Sequence, residues 1–143
     1  MGSSNIEQKI CSAELLARLK VDFPDLRFVQ GAKFTFRPPQ TIIVGPSEPH
    51  HSLLILHELG HALCKHRDFK TGVQRLKMER EAWEKARELC GSYGVFYDEE
   101  LVESELDTYR DWLDKKSRCP SCGLTRFQAP DGVYHCPRCE NLD

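Results

Sequence analysis

Two histidines four residues apart, with a glutamate beside the first, stand at His57-Glu58-Leu59-Gly60-His61. On a helix this spacing puts both imidazoles on one face, one turn apart, where they can grip a single Zn²⁺. Glu58 points slightly off that face. There it can take a proton from the water that such an ion activates. The chemistry implied is metal-assisted hydrolysis of a peptide bond, with Glu58 as base and then as proton donor to the leaving nitrogen.

Two imidazoles do not complete such a site, because a catalytic zinc usually takes three protein ligands and a water. His66 comes five residues after His61. On a continuing helix that is about 500° of rotation, roughly 140° off the ligand face. His66 is therefore expected to be a solvated histidine at the helix end. His51, six residues before His57, falls on the wrong face in the same way, and His135 lies within a cysteine cluster. A carboxylate remains. Leu76, Trp83, Ala86 and Cys90 form an apolar stripe along a second helix, and Glu79 falls on that stripe. Glu81, Glu84 and Glu88 fall with Lys77 and Lys85 on the polar face. A carboxylate on a core-facing stripe is costly unless it is paired or bound to a metal. Glu79 is thus the expected third ligand, its competing use being an ion pair with Arg75 or Arg80. A donor for the developing oxyanion could come from Tyr93, Tyr97, Tyr109, His50 or His51.

A second set of metal-binding side chains closes the chain. Cys119-Pro-Ser-Cys122-Gly123 and Cys136-Pro-Arg-Cys139 are two knuckles separated by residues 123–135. Between them, Leu124 to Ala129, a Pro130-Asp131-Gly132 turn and Val133-Tyr134-His135 read as a hairpin that brings both knuckles to one ion. Four thiolates fill a tetrahedral shell, so this zinc is expected to be structural. So short a segment could hardly fold without it. Phe127 and Tyr134 are expected in the hairpin core. Arg118, Arg126 and Arg138 are balanced by Asp131, Glu140 and Asp143, so nucleic acid is not favoured as a partner of the ribbon.

The elements that must position these groups follow from pattern. Met1 onward reads as a flexible lead. Leu15, Leu16 and Leu19 give a short helix over 12–20. Leu26 to Phe36 reads as one strand, Pro38-Pro39 as a break and Thr41 to Val44 as a second strand. Ser47 is a plausible cap for a helix over 49–66 that carries the histidines. Leu53, Leu54, Ile55, Leu56, Leu59, Ala62 and Leu63 cover nearly its whole circumference, the mark of a buried helix. A second helix over 73–90 is expected to end at Gly91. A third begins after Asp98, with Glu99 and Glu100 in its first turn and Lys115 and Lys116 in its last, matching the helix dipole. The class is α+β. The expected division is 1–116 for a hydrolase-like domain and 117–143 for a zinc ribbon.

At 143 residues and 40% hydrophobic, the chain can bury a modest core. Its net charge of -2 gives no bulk attraction to nucleic acid or anionic membrane. No apolar run approaches a membrane span. Met1-Gly2 could suggest an N-terminal acyl group, but Ile6 stands where Ser or Thr is wanted. Seven cysteines, an odd number, without an apolar signal core fit a cytoplasmic chain whose clustered thiols bind metal.

The run His57-Glu58-Leu59-Gly60-His61-Ala62-Leu63, followed by Glu79-Arg80-Glu81-Ala82-Trp83-Glu84-Lys85-Ala86, resembles the ImmA/IrrE metallopeptidases. The resemblance covers about residues 40 to 110. It implies a small zincin-like domain, with a short sheet packed on the active-site helix and further helices around it. It also implies a zinc peptidase that hydrolyses a protein substrate, a DNA-binding repressor in several members, with the ligand glutamate three residues before an alanine. Glu79 before Ala82 fits that pattern. Many members carry Asn after the alanine where this chain has Trp83, and the ribbon is not a general family feature. A second resemblance is to the SprT-like peptidases, which join a similar signature to a C-terminal zinc ribbon and act on DNA-bound proteins. They take the third ligand from a downstream histidine, and this chain has no suitable one. A non-catalytic, zinc-stabilised adaptor is the alternative from another class, and it would have no need of Glu58.

Overall fold

The computed structural model describes residues 12–140. The expected N-terminal lead, the Met1-Gly2 and Ile6 reading, Cys11 and Asp143 lie outside them. The chain is mixed α+β, with four helices and two small sheets among the described residues. The elements in chain order are α1 (Ser12–Asp22), β1 (Arg27–Gln30), β2 (Thr35–Arg37), β3 (Thr41–Val44), α2 (His51–Leu63), α3 (Gly72–Tyr93), α4 (Glu99–Ser117), β4 (Phe127–Gln128) and β5 (Tyr134–His135). They fall into two compact units: Met1–Arg67 with Glu81–Asp98, and Asp68–Arg80 with Glu99–Asp143.

In the first unit the β-branched run of β3 takes the centre of a three-stranded sheet, ordered β1-β3-β2. It pairs in parallel with β1 (Phe28 opposite Ile42) and antiparallel with β2 (Phe36 opposite Ile42). Ile42 and Val44 are buried and alternate with half-buried Thr41 and Ile43, the period-2 signature of a strand with one covered face. The single strand expected over 26–36 is two strands, because the chain bends at Gly31 to Phe34 and returns on the other side of β3. Helix α2 packs on β3 and β2, and α1 packs against α2 and β1 through Leu15 and Leu19. Leu53, Ile55, Leu56 and Leu59 of α2 are essentially inaccessible, together with Ala82, Trp83 and Ala86 of α3. They form the apolar centre that fixes how α2 lies.

Two helix ends differ from expectation. Helix α2 is shorter than 49–66. His50 rather than Ser47 occupies its N-cap, with no side-chain cap hydrogen bond. Helix α3 runs past Gly91 to Tyr93, and the left-handed residue is Gly94 (φ 70°). The amide of Val95 donates to the Cys90 carbonyl at 3.1 Å, the long bond of a Schellman end. Burial of Leu89, Cys90 and Tyr93 carries the helix two residues beyond Gly91.

In the second unit Val102 and Leu106 are the buried side of α4. The guanidinium of Arg75 sits over the rings of Phe69, Tyr109 and Trp112, 5.2, 4.9 and 4.7 Å from their centroids. Strands β4 and β5 pair antiparallel, and the amide of Gly132 donates to the Ala129 carbonyl at 2.8 Å to close the expected turn. The Gln128 side chain ties this hairpin to the start of α3, accepting from the Gly72 amide at 2.6 Å and donating to the Gly132 carbonyl at 2.8 Å.

Candidate metal centres

Helix α2 brings His57, Glu58 and His61 together as the spacing requires. Each is 8% exposed. One potential ligand atom from each lies within 4.8 Å of the others, so the group could hold a metal ion. The two imidazole centroids are 4.8 Å apart. His57 is held flat against Trp83, with centroids 3.9 Å apart and planes 6° from parallel. Its Nδ1 is 3.3 Å from Glu58 Oε2. Gly60 makes this arrangement possible. A Cβ there would lie 2.4 Å from the Ala82 carbonyl oxygen, so only glycine lets α2 come so close to the α3 backbone.

His66 is not solvated. It is 8% exposed, its Nδ1 lies 2.8 Å from His61 Nδ1, and its Nε2 lies 3.1 Å from Glu81 Oε1. A rotation of about 500° holds only for a helix that continues to residue 66, and α2 stops at Leu63. Lys65 adopts φ 57°. Its amide donates to the Ala62 carbonyl at 3.1 Å and that of His66 to the His61 carbonyl at 3.0 Å. These two bonds are the Schellman pair, which sets the second residue past the cap against the residue five before it. That contact is usually apolar; here it joins two imidazoles. The absence of a glycine hid the motif in the sequence, because a lysine takes the left-handed position.

The other candidates are placed as follows. Glu79 is 8% exposed, on the buried stripe of α3 with Ala82, Trp83 and Ala86. Glu81 is half-buried and bonded to His66 rather than fully on a polar face. His50 Nε2 lies 2.9 Å from Asp98 Oδ2. The Nε2–H of His51 points at the Gly45 carbonyl, 3.0 Å away. The Tyr93 hydroxyl donates to Asp22 at 2.5 Å, and the Tyr97 hydroxyl to the Trp83 carbonyl at 3.4 Å. Tyr109 lies under Arg75 in the other unit. Burial, and then the negative charge of Glu81, pushes the Cys64 thiol up, which makes it a poor nucleophile.

The cysteine centre is equally well defined. Cys119, Cys122, Cys136 and Cys139 form a second group that could hold a metal ion, their sulfurs all within 4.8 Å of one another. Cys119 and Cys139 sulfurs are 3.7 Å apart, those of Cys122 and Cys136 3.6 Å. Backbone amides of Cys122 and Ser121 aimed at the Cys119 sulfur lower its thiol to about 6. The Cys139 amide, 3.3 Å from the Cys136 sulfur, lowers that thiol as well. Cys139 is pushed up to about 12 by hydrogen bonds to the Cys136, Cys119 and Cys122 sulfurs. Four thiols this close cannot all ionise without a cation among them. Phe127 is not a core residue: it is 59% exposed and stacks on His135, centroids 5.1 Å apart. Tyr134 is half-buried under the Arg126 guanidinium.

Among the described residues no helix is long and apolar enough to cross a membrane. No family model matches the chain, and no match was found among curated proteins or solved structures.

Proposed function

We propose that this chain is a zinc-dependent metallo-endopeptidase of small zincin-like fold, with a structural zinc in its C-terminal hairpin. The observation that carries the reading is the His57-Glu58-His61 group. Two imidazoles and a carboxylate, each 8% exposed, converge on a helix packed from all sides. A purely structural site has no use for a carboxylate at Glu58, whereas hydrolysis requires a base there. For the third ligand we keep Glu79, named by the stripe argument; it is 8% exposed, and it is not among the residues whose ligand atoms lie within 4.8 Å of one another. The donor set of nitrogen and oxygen atoms suits zinc, which supplies Lewis-acid activation of water and of the peptide carbonyl when bound.

Around that ion the side chains have separate tasks. Trp83 holds the His57 ring in plane, and Gly60 sets the spacing between α2 and α3. Glu58 accepts a proton at its carboxylate as water attacks, then returns it to the departing amine. At the other centre, a tetrahedral shell with Zn–S bonds of about 2.3 Å places its sulfurs roughly 3.8 Å apart. The observed 3.6 and 3.7 Å fit that shell. The substrate is proposed to be a protein, a DNA-binding regulator being the class that the family resemblance suggests.

Elemental analysis is expected to find two zinc ions per chain; one alone would remove one of the two assignments. Glu58→Gln should keep both ions and lose about 10²- to 10⁴-fold in hydrolysis of casein and of a fluorogenic peptide library. Undiminished cleavage by that variant would dismiss Glu58 as the base. Glu79→Ala should lose the zinc that His57→Ala also loses.

A further inference from the structure

The two ligand histidines are oriented by different means. His57 is sandwiched against an indole, whereas His61 is reached by a line of hydrogen bonds running outward through His66 to Glu81. With Glu81 ionised and His66 neutral, donor and acceptor chemistry assigns each proton along this line. An ionised Glu81 carboxylate only accepts, so the bond at 3.1 Å must be donated by His66 Nε2–H. In a neutral imidazole the other nitrogen is then an acceptor, so His66 Nδ1 accepts. Its neighbour at 2.8 Å, His61 Nδ1, must therefore be the donor. This leaves the proton of His61 on Nδ1 and a lone pair on its Nε2, the form in which an imidazole binds a metal.

We propose that His66 and Glu81 are positioning residues that lock His61 in the Nδ1–H tautomer and aim its Nε2 at the metal. The inference rests on the metal-centre reading of His57 and His61. It adds two residues that the zinc signature does not include, the nearer of them supplied by the Schellman end of α2. His66 is not itself a ligand together with His61 Nδ1. Two nitrogens sharing a tetrahedral zinc at 2.0–2.1 Å stand roughly 3.3 to 3.4 Å apart. The observed 2.8 Å is the length of a hydrogen bond. Burial strengthens the case. His66 is 8% exposed, so water cannot readily replace it. The Glu81 side chain is 39% exposed, so its loss is partly made good by solvent. Ligating histidines elsewhere are oriented in the same way by outer carboxylates or carbonyls. Removing such a partner costs about 10- to 100-fold in metal affinity.

The test uses the full chain with the cysteine hairpin loaded with zinc, and needs no substrate. Zinc affinity of the histidine site is read by competition with a chromophoric chelator. The site is identified as the binding event that His57→Ala removes. His66→Phe, of similar volume but without an acceptor, should weaken that event about 10- to 100-fold. His66→Asn places an amide oxygen near the former Nδ1 and should recover most of the loss. Glu81→Leu should cost less than His66→Phe. In parallel, long-range ¹H–¹⁵N spectra of the wild-type chain without zinc at the histidine site should show His61 protonated on Nδ1. A folded His66→Phe chain that binds zinc within about twofold of wild type, or a His61 found protonated on Nε2, would overturn the proposal. Should His57→Ala remove no binding event, the metal-centre reading itself fails, and the spectra still decide the tautomer.

Discussion

The histidine group and the cysteine hairpin could each hold a metal ion, yet they are built by opposite means. His57, Glu58 and His61 stand on one thirteen-residue helix that packs on a sheet and on α1 and meets α3 where Gly60 faces Ala82 and His57 faces Trp83. Their rings are fixed by Trp83 and His66 before any ion arrives. The hairpin has strands of two residues each, and Leu124, Phe127 and Val133 are 43, 59 and 51% exposed. Its well-buried side chains include two of the four clustered cysteines, Cys119 and Cys136. In the first region the fold places the group; in the second little besides the cysteine cluster holds the fold. On the proposed reading, a metal would matter for chemistry in the first and for stability in the second.

Removing metal should therefore separate the two regions, and this is the largest effect expected. Apparent binding free energies of structural zinc are on the order of 10 kcal/mol or more, and in such modules they are folding energy. A strong chelator should abolish the β4–β5 amide signals and open residues 118–140 to proteolysis. The β1–β3 sheet and α2 should keep their protected amides. Cys119→Ser should do the same without chelator. A chelated chain in which the sheet amides exchange as freely as those of the hairpin would refute the distinction.

Acid and alkali should also part the two regions, by a smaller amount. In the first unit burial pushes the Cys90 thiol from 9.0 up to about 12. Burial, and then its bond to Asp22, pushes the Tyr93 hydroxyl from 10.0 up to about 12. Folded values raised above the unfolded ones mean stability that is complete below pH 9 and is lost as pH rises towards 12. The loss is at most ~1.4 kcal/mol per pH unit per group. In the hairpin the shifts oppose one another: the Cys119 thiol is lowered from 9.0 to about 6 and the Cys139 thiol raised to about 12. Its acid sensitivity comes instead from the proposed zinc, since protons compete with the ion for the four thiolates as pH falls. Unfolding monitored by circular dichroism should show an alkaline limb that Cys90→Ala flattens. Zinc release from the hairpin should begin on the acid side. An alkaline limb that is the same in Cys90→Ala leaves Tyr93 as its source.

What could be read from the chain and what could not divides along the same line. Short-range periodicity placed Glu79 on the buried face of α3, because helical rotation is reliable inside a continuous helix. It also located the hairpin turn, because proline and glycine act within four residues. The same rotation failed for His66, which lies two residues past the cap, where the Schellman geometry replaces the helical angle. The glycine rule failed at Gly91 because the helix end is decided by tertiary burial of Cys90 and Tyr93, not by the first glycine available. Trp83 could be recognised as apolar, but not as the plate under His57, since that contact joins residues 26 apart in the chain.

The smallest expected effect tests how the two regions take left-handed turns. The hairpin spends glycine at its positive-φ positions, Gly123 (79°) and Gly132 (92°). The end of α2 spends Lys65 at 57°. A residue with a Cβ in that conformation carries about 1–2 kcal/mol of strain. Replacing it with glycine also loosens the unfolded chain, which offsets roughly 0.5–1 kcal/mol. Lys65→Gly should thus stabilise the first unit by ~1 kcal/mol or less in denaturant titration. It should leave the bonds from residues 65 and 66 to Ala62 and His61 in place, and with them the His66–His61 contact. Because the left-handed turn is then less strained, zinc affinity at the histidine site should be unchanged or slightly higher. Weaker zinc binding in this variant would show that Lys65 does more than turn the chain.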